Sequence, residues 1–166
     1  FVSTHPDDET LGCGGTILKY KAHGDKIYWL IITNVSVENG YDQEIVCKRE
    51  LEIKAVAEAY AFEEVFQLNL PTAKLDTLPI RLIIESASKV VNKVTPDIIY
   101  IPNRNDIHSD HTVTFDAMMS LMKTYRTPFI KKICMYEVLS ETEYAPALHT
   151  HIFIPNSFSN VSDYLE

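Results

Sequence analysis

The chain has 166 residues, of which 46% are hydrophobic and 23% are charged, and its formal net charge is −8. This composition is typical of one soluble globular domain, and an acidic balance without any Lys/Arg block argues against nucleic acid or an anionic membrane as a partner. The apolar runs are too short to span a bilayer, and three widely spaced cysteines indicate reduced thiols in a cytoplasmic protein.

Hydrophobic patterning predicts elements that alternate between strand and helix. Strands are predicted over residues 1–4, 26–33, 65–70, 97–101, 132–138 and 151–154. Helices are predicted over a stretch that includes residues 16–22 and over 42–61, 80–94 and 110–125, with Gly24 as a left-handed cap after the first. The chain begins inside a strand and ends in what reads as the first turn of a helix. We therefore expect one domain over residues 1–166, truncated at both ends.

Four strand–helix repeats predict an α/β, Rossmann-like fold, with a mostly parallel sheet and helices on both of its faces. In the common strand order 3-2-1-4-5, the first and fourth strands are neighbours, and ligands bind beyond their carboxyl ends. The loops after these two strands carry residues 5–8 and 108–111. Topology alone therefore predicts that two groups of polar side chains meet in an active site there.

The first group places an imidazole and three consecutive carboxylates in residues 5–9. Like charges so close together need compensation when they are buried, and a divalent metal is the simplest source of it. His5 and Asp8 lie three residues apart, so their side chains can converge on one ion if a helix begins near Asp7. The alternative is that the carboxylates complement a helix N-terminus capped by Thr4.

The second group, His108-Ser109-Asp110-His111, makes a metal site the stronger hypothesis. One of its histidines, with His5 and Asp8, completes the three protein ligands of a catalytic zinc site. Asp7 is then free to take a proton from a water activated by the metal. The remaining histidine can stabilise an oxyanion, with Asp110 orienting it and holding it protonated. These parts describe amide or ester hydrolysis.

Three motifs together resemble one known family. They are His5-Pro6-Asp7-Asp8-Glu9, the Leu11-Gly12-Cys13-Gly14-Gly15 that follows it, and His108-x-Asp110-His111. The chain resembles the LmbE/PIG-L-like zinc-dependent N-acetylglucosaminide deacetylases, and the pairs Arg49-x-x-Glu52 and Tyr136-Glu137 extend the resemblance over nearly the whole chain.

The resemblance implies a role for each motif residue. His5, Asp8 and His111 correspond to the zinc ligands and Asp7 to the general base. His108 corresponds to the transition-state stabiliser, with Asp110 as its partner. The implied reaction removes acetate from an N-acetylglucosamine unit joined to a further group, so the expected partner is a small sugar conjugate. Ferrous iron is an alternative metal, because His/carboxylate ligation accepts both ions.

Three further residues are candidates for substrate binding. Arg49 matches a position expected at the family's substrate pocket, although a helix-surface ion pair with Glu52 explains it equally well. Arg104 and Asn105 lie in the second motif loop, where they can contact sugar hydroxyls. Some members carry a tyrosine two residues before the first histidine of that motif, whereas this chain has Asp106.

Other functions stay open at the level of sequence. A metal-dependent phosphate-ester hydrolase would use two metals and a more basic pocket, and a sugar-binding module would lack catalysis. The glycine cluster reads Gly-x-Gly-Gly and follows carboxylates that repel phosphate, so it predicts close helix–strand packing or a tight bend in place of a dinucleotide site. The group attached to the sugar and any homo-oligomer are not indicated by the sequence.

Overall fold

The computed structural model describes residues 1–146 and 152–164. The strands are β1 (Val2–Ser3), β2 (Tyr28–Asn34), β3 (Glu64–Pro71), β4 (Ile98–Pro102) and β5 (Lys132–Tyr136). The helices are α1 (Asp8–Ala22), α2 (Gln43–Tyr60), α3 (Ile80–Val94), α4 (Ser109–Leu121) and the short α5 (Leu139–Thr142). Single 3₁₀ turns occupy Val37–Asn39, Leu75–Thr77 and Ser162–Tyr164.

The predicted elements are confirmed, with three differences near the carboxyl terminus. The predicted helix over 110–125 ends at Leu121, because the Lys123 carbonyl accepts N–H bonds from Arg126 and Thr127 in a separate turn. The fifth strand stops at Tyr136, since Val138 caps the turn of α5. Of the strand predicted over 151–154, His151 lies outside the described residues, and residues 152–154 form no strand.

The five strands form two hydrogen-bonded groups, both parallel. The strands β1, β2 and β3 pair in that order, and β4 pairs with β5. Within the described residues β1 contacts β4 without a backbone ladder, so the predicted neighbours are adjacent but less regularly joined than expected. The Tyr136 hydroxyl donates to the Val2 carbonyl at 2.7 Å, and this bond ties the end of β5 to β1.

Side chains of β2 alternate between two apolar layers. Leu30 and Ile32 face one layer, where they pack with buried residues of α3 and α4. Trp29 and Ile31 face the opposite layer, where they meet Ile53 of α2. This period of two on a strand buried on both faces is what a doubly wound α/β fold requires. The predicted fold class is confirmed.

Among the residues that the structure describes, none of the helices combines the length and the apolar character needed to cross a lipid bilayer. This finding agrees with the sequence, in which no apolar run reaches that length.

Gly12 sets how closely the start of α1 approaches the end of β5. A Cβ atom at this position would lie 2.5 Å from the carbonyl oxygen of Glu137 and would overlap the ring of Tyr136. Gly14, two residues later, would instead meet only the hydroxyl end of Tyr60, at 2.8 Å. The predicted close packing of helix and strand therefore depends on Gly12.

We expect Gly12→Ala to lower the free energy of unfolding by about 1–2 kcal/mol. Overpacking costs roughly 1–3 kcal/mol, and a Cβ pressed against a backbone carbonyl belongs to the upper half of that range, roughly 2–3 kcal/mol. The better helix propensity of alanine offsets only about 1 kcal/mol of this. The matched variant Gly14→Ala should cost less, because the Tyr60 hydroxyl can move away. Urea unfolding followed by circular dichroism measures both, and equal stability of Gly12→Ala and the wild type would contradict the packing role.

Candidate metal centre

The first polar group lies in the tight turn between β1 and α1. The His5 carbonyl accepts the N–H groups of Asp7 and Asp8, and the His5 N–H donates to the Asp8 carboxylate at 2.8 Å. The helix begins at Asp8, as the His5–Asp8 spacing requires. The Thr4 hydroxyl has no hydrogen-bond partner among the residues that the structure describes, and Asp7 precedes the first residue of the helix, so the alternative of a Thr4-capped helix is wrong.

The second group begins α4 and meets the first one. Nε2 of His111 lies 3.2 Å from Nδ1 of His5 and 3.4 Å from Oδ2 of Asp8. Nδ1 of His5 lies 4.0 Å from the same Asp8 oxygen. The side chains of Asp8 and His111 are almost completely buried, and that of His5 is 17% exposed. Two imidazole nitrogens and one carboxylate oxygen therefore converge on one point.

These three donor atoms fit a divalent metal. They lie within 4.8 Å of one another, and His/carboxylate sets with an open position are typical of catalytic zinc sites. A second set, His5 with His108 and Asp110, also satisfies that distance. Both carboxylate oxygens of Asp110 are already engaged, however: Oδ1 accepts the Leu75 N–H at 3.0 Å and Oδ2 accepts the Ala73 N–H at 2.6 Å. In Asp8 only Oδ2 accepts a described backbone N–H, that of His5. The first set is thus the better candidate.

Asp110 has other partners than the sequence analysis expected. Its Oδ2 lies 3.3 Å from Nε2 of His5, and only its backbone N–H contacts His108, donating to Nδ1 at 3.1 Å. The expectation that the Asp110 carboxylate orients His108 and holds it protonated is therefore corrected. The Asp110 carboxylate instead accepts two backbone N–H groups of the loop after β3, and it faces the His5 ring in the loop after β1.

Asp106 is a site residue that the sequence analysis missed. Its side chain is fully buried, and Oδ2 lies 2.5 Å from Nδ1 of His111 while Oδ1 accepts the His108 N–H at 3.0 Å. The sequence drew attention to Asp106 only as the residue in place of a tyrosine. An aspartate five residues before a histidine at a helix start is the signal that was available.

Opposed effects set the pKa values of the carboxyl groups. Burial by itself raises the pKa of Asp8, but hydrogen bonding and charge from His111 and His5 outweigh it, so the pKa lies below its ordinary value. Asp7 is half-exposed, and partial burial and the Asp8 charge raise its pKa despite the opposing effect of Arg49. Asp7 is therefore the more basic of these two carboxylates.

The histidine pKa values also diverge. Burial opposes protonation of His111, but Asp106 and Asp8 raise its pKa to about 10. Burial, followed by the charges of His5 and His111, lowers the pKa of His108 below the usual value. Because its Nδ1 accepts the Asp110 N–H, the neutral His108 ring carries its proton on Nε2.

A cavity of about 360 Å³ opens over the metal-binding residues. Its lining includes His5, Asp7, Asp8, Arg49, His108 and Glu141. A larger cavity of about 550 Å³ surrounds Phe1 and Tyr100 at the amino ends of the strands, and none of the candidate residues lines it. We assign the site to the smaller cavity, because the His and Asp side chains of the two polar groups converge there.

The three predicted substrate-binding residues lie in different parts of the structure. The Arg49 guanidinium lies 3.5 Å from Glu52, as the ion-pair interpretation predicts. It also lines the cavity 3.9 Å from Asp7, and its role in substrate binding stays a prediction. Arg104 instead pairs with Asp116 through two hydrogen bonds of 2.8 and 3.2 Å, and neither Arg104 nor Asn105 lines the cavity. The loop turns this part of the chain towards the outer face of α4.

Comparison with models of protein families assigns this chain to one family. The family model described as PIG-L, GlcNAc-PI de-N-acetylase, matches residues 1–122 of the 166. The chain belongs to this family. The matched residues of this PIG-L family member include both polar groups and the whole of the helices α1 to α4. The resemblance recognised from the motifs is thus confirmed.

Solved structures share the fold of this PIG-L family member. An N,N'-diacetylchitobiose deacetylase from Pyrococcus horikoshii has a TM-score of 0.71 at 21% identity, over 98% of this chain and 63% of that one. A conserved protein from Thermus thermophilus has a TM-score of 0.67 at 24% identity, over 82% and 64%. The zinc-inhibited form of a teicoplanin deacetylase has a TM-score of 0.67 at 13% identity, over 93% and 71%.

The chain therefore spans less than two thirds of the length of the first two structures. A search of curated proteins found no match. At these identities the structural similarity establishes the fold alone.

The position of Arg104 leads to a stability prediction. We expect Arg104→Ala to change the free energy of unfolding by less than about 1 kcal/mol, because its ion pair with Asp116 is exposed to solvent and screened. Urea unfolding of this variant and of Asp116→Ala measures the contribution of the pair. If Arg104→Ala lowers the free energy of unfolding by more than about 2 kcal/mol, twice the upper end for an exposed ion pair, the prediction is wrong. Arg104 would then stabilise the loop by more than its pair with Asp116.

Proposed function

We propose that this PIG-L family member is a zinc-dependent hydrolase that removes acetate from an N-acetylglucosamine-type sugar conjugate. The observation that carries the proposal is the convergence of His5, Asp8 and the buried His111 beside the more basic Asp7, next to a cavity that His5, Asp7 and Asp8 line. The description of the family as a GlcNAc-PI de-N-acetylase supports the substrate class, as does the fold shared with a diacetylchitobiose deacetylase.

His5, Asp8 and His111 would hold the metal. When bound there, the ion would act as a Lewis acid and lower the pKa of a water molecule. Zinc suits this mixed His/carboxylate set, and ferrous iron is the alternative metal for the same donors. The backbone bond from His5 fixes the Asp8 carboxylate before any ion binds, which reduces the cost of organising the site.

The protein side chains would divide the proton transfers between them. Asp7 accepts a proton as water adds to the amide carbonyl carbon, and it returns that proton to the nitrogen as the carbon–nitrogen bond breaks. His108 donates a hydrogen bond from Nε2 to the oxyanion that develops on the carbonyl oxygen. The immediate products are acetic acid and the free amine of the sugar, and Asp7 is regenerated as a carboxylate. Acetic acid then gives its proton to the amine or to the solvent and becomes acetate, so the atoms and charges balance.

Arg49 is the substrate-contacting cation of this proposal. It is the only Lys or Arg among the described residues that line the cavity. One guanidinium suits hydroxyl or carbonyl groups of a sugar conjugate, whereas a phosphate-ester hydrolase would need more positive charge at the reacting centre. The cavity volume of about 360 Å³ lies within the range of roughly 300–1,000 Å³ found for small-ligand sites.

Acetate release tests the proposal directly. The metal-loaded protein is incubated with a panel of N-acetylglucosaminides, and a chelator-treated sample serves as the control. We expect release that disappears with the chelator and returns with zinc. If no substrate of the panel reacts while the protein demonstrably holds metal, the deacetylase proposal fails, and release of phosphate from ester substrates would then identify the alternative hydrolase.

Asp7→Asn should separate metal binding from catalysis. We expect kcat to fall by about 10²–10⁴, the usual contribution of a general base, because the amide cannot accept the proton. Zinc content should stay at the wild-type level, since Asp7 is outside the proposed ligand set. Acetate release and metal analysis of the same sample measure the two properties.

Asp25→Asn is the matched control, because Asp25 is exposed and distant from the cavity. It should keep wild-type activity and zinc content. Full activity of Asp7→Asn would exclude Asp7 as the base, and loss of zinc from that variant would place Asp7 among the ligands.

A further inference from the structure

In each proposed histidine ligand, the ring nitrogen that does not face the metal position lies near a carboxylate. Nε2 of His111 faces the metal position, and Nδ1 of the same ring lies 2.5 Å from Oδ2 of Asp106. In His5 the nitrogens are exchanged: Nδ1 faces the metal position, and Nε2 lies 3.3 Å from Oδ2 of Asp110. Each ring is therefore held between the metal position on one nitrogen and a carboxylate on the other.

We propose that Asp106 and Asp110 are positioning residues that select the metal-binding nitrogen of each histidine, Nε2 of His111 and Nδ1 of His5. A neutral imidazole has one N–H and one lone pair, and the carboxylate accepts the N–H, so the lone pair points to the metal. This inference rests on the proposed function, in which His5, Asp8 and His111 bind the metal.

Asp106 has the geometry of a fixed partner. Its side chain and that of His111 are both fully buried, and its second oxygen is occupied by the His108 N–H at 3.0 Å. No Lys or Arg of the described residues pairs with it. A buried carboxylate is stable only with a compensating partner, so the energetic role of Asp106 is tied to His111 and to what His111 binds.

Asp110 links the metal position to a different part of the chain. Its carboxylate accepts the N–H groups of Ala73 and Leu75, in the loop after β3, and Thr72 of that loop lines the cavity. Leu75 is fully buried in the core, so the loop is anchored at that end. Asp110 thus holds His5 and the wall of the cavity in one hydrogen-bonded unit.

The two carboxylates should differ in their effect. The Asp106–His111 distance is 2.5 Å, and Asp106 has one competing N–H, whereas the Asp110–His5 distance is 3.3 Å, and Asp110 also serves two backbone N–H groups. Removal of Asp106 should therefore weaken metal binding with little effect on the rest of the site. Removal of Asp110 should also loosen the loop.

Zinc affinity, measured by competition with a chromophoric chelator at one pH, tests the inference. The variants are Asp106→Ala, Asp106→Asn, the ligand variant His111→Ala and the control Asp116→Asn, whose carboxylate lies on the same helix as His111 and pairs with the exposed Arg104. We expect Asp106→Ala to bind zinc about 10–100-fold more weakly than the wild type. The zinc affinity of Asp106→Asn should lie between those of the wild type and Asp106→Ala, because the asparagine carbonyl still accepts the N–H of His111. Asp116→Asn should bind zinc with wild-type affinity.

A second readout separates positioning from a general loss of structure. Nitrogen-15 NMR of the His111 ring should show an Nδ1–H and a metal-bound Nε2 in the zinc-loaded wild type, and a mixture of tautomers in Asp106→Ala. Circular dichroism establishes that each variant is folded. If Asp106→Ala does not fold, the isosteric Asp106→Asn variant alone decides the question.

The outcomes distinguish this inference from the function on which it rests. Wild-type zinc affinity in folded Asp106→Ala or Asp106→Asn, together with loss of zinc from His111→Ala, overturns the positioning role and leaves the metal site intact. A wild-type protein that takes up no zinc overturns both. Weaker binding in the Asp106 variants, with no acetate release from the wild type, supports the positioning role and contradicts the deacetylase.

Discussion

The contact between Asp8 and His111 joins the two halves of this protein. The group of β1, β2 and β3 and the group of β4 and β5 share no described backbone ladder. Asp8 starts the helix after β1 and His111 lies in the helix after β4, and their side chains approach to 3.4 Å. A metal at this point would link both groups through ligands from each. The candidate site therefore lies where the two strand groups, which also share one hydrophobic core, come together.

Charge balance explains why the proposed ligands are so tightly arranged. The side chains of Asp8, Asp106 and Asp110 are nearly or fully buried, and their described ionic partners are histidines, with no Lys or Arg among them. Imidazoles alone compensate such carboxylates only while they carry protons. A divalent cation supplies the positive charge without requiring protonated histidines, so the acidic character of the motif becomes compatible with burial.

Packing at the end of β5 stabilises the position of α1, the helix that begins with Asp8. Gly12 lets α1 lie against Tyr136 and Glu137, and the Tyr136 hydroxyl reaches the Val2 carbonyl in β1. The first turn of α1 carries Asp8, so this contact sets where one proposed ligand stands relative to β1. The tyrosine of the family motif thus has a structural explanation that does not require contact with a substrate, whereas Glu137 takes part in this packing through its backbone carbonyl.

Residue order was sufficient to predict the fold class, nearly all of the elements and the meeting of the two loops that carry His5, Asp8 and His111. Short spacings along the chain fix local geometry, and parallel strand order brings the loops after β1 and β4 together. Three pairings emerged only from the folded chain: Asp110 with His5, Asp106 with His111 and Arg104 with Asp116. In each pairing, side chains from different parts of the chain compete for the same partner within a few ångströms. The outcome depends on their positions in the folded chain, and short spacings along the sequence do not fix those positions.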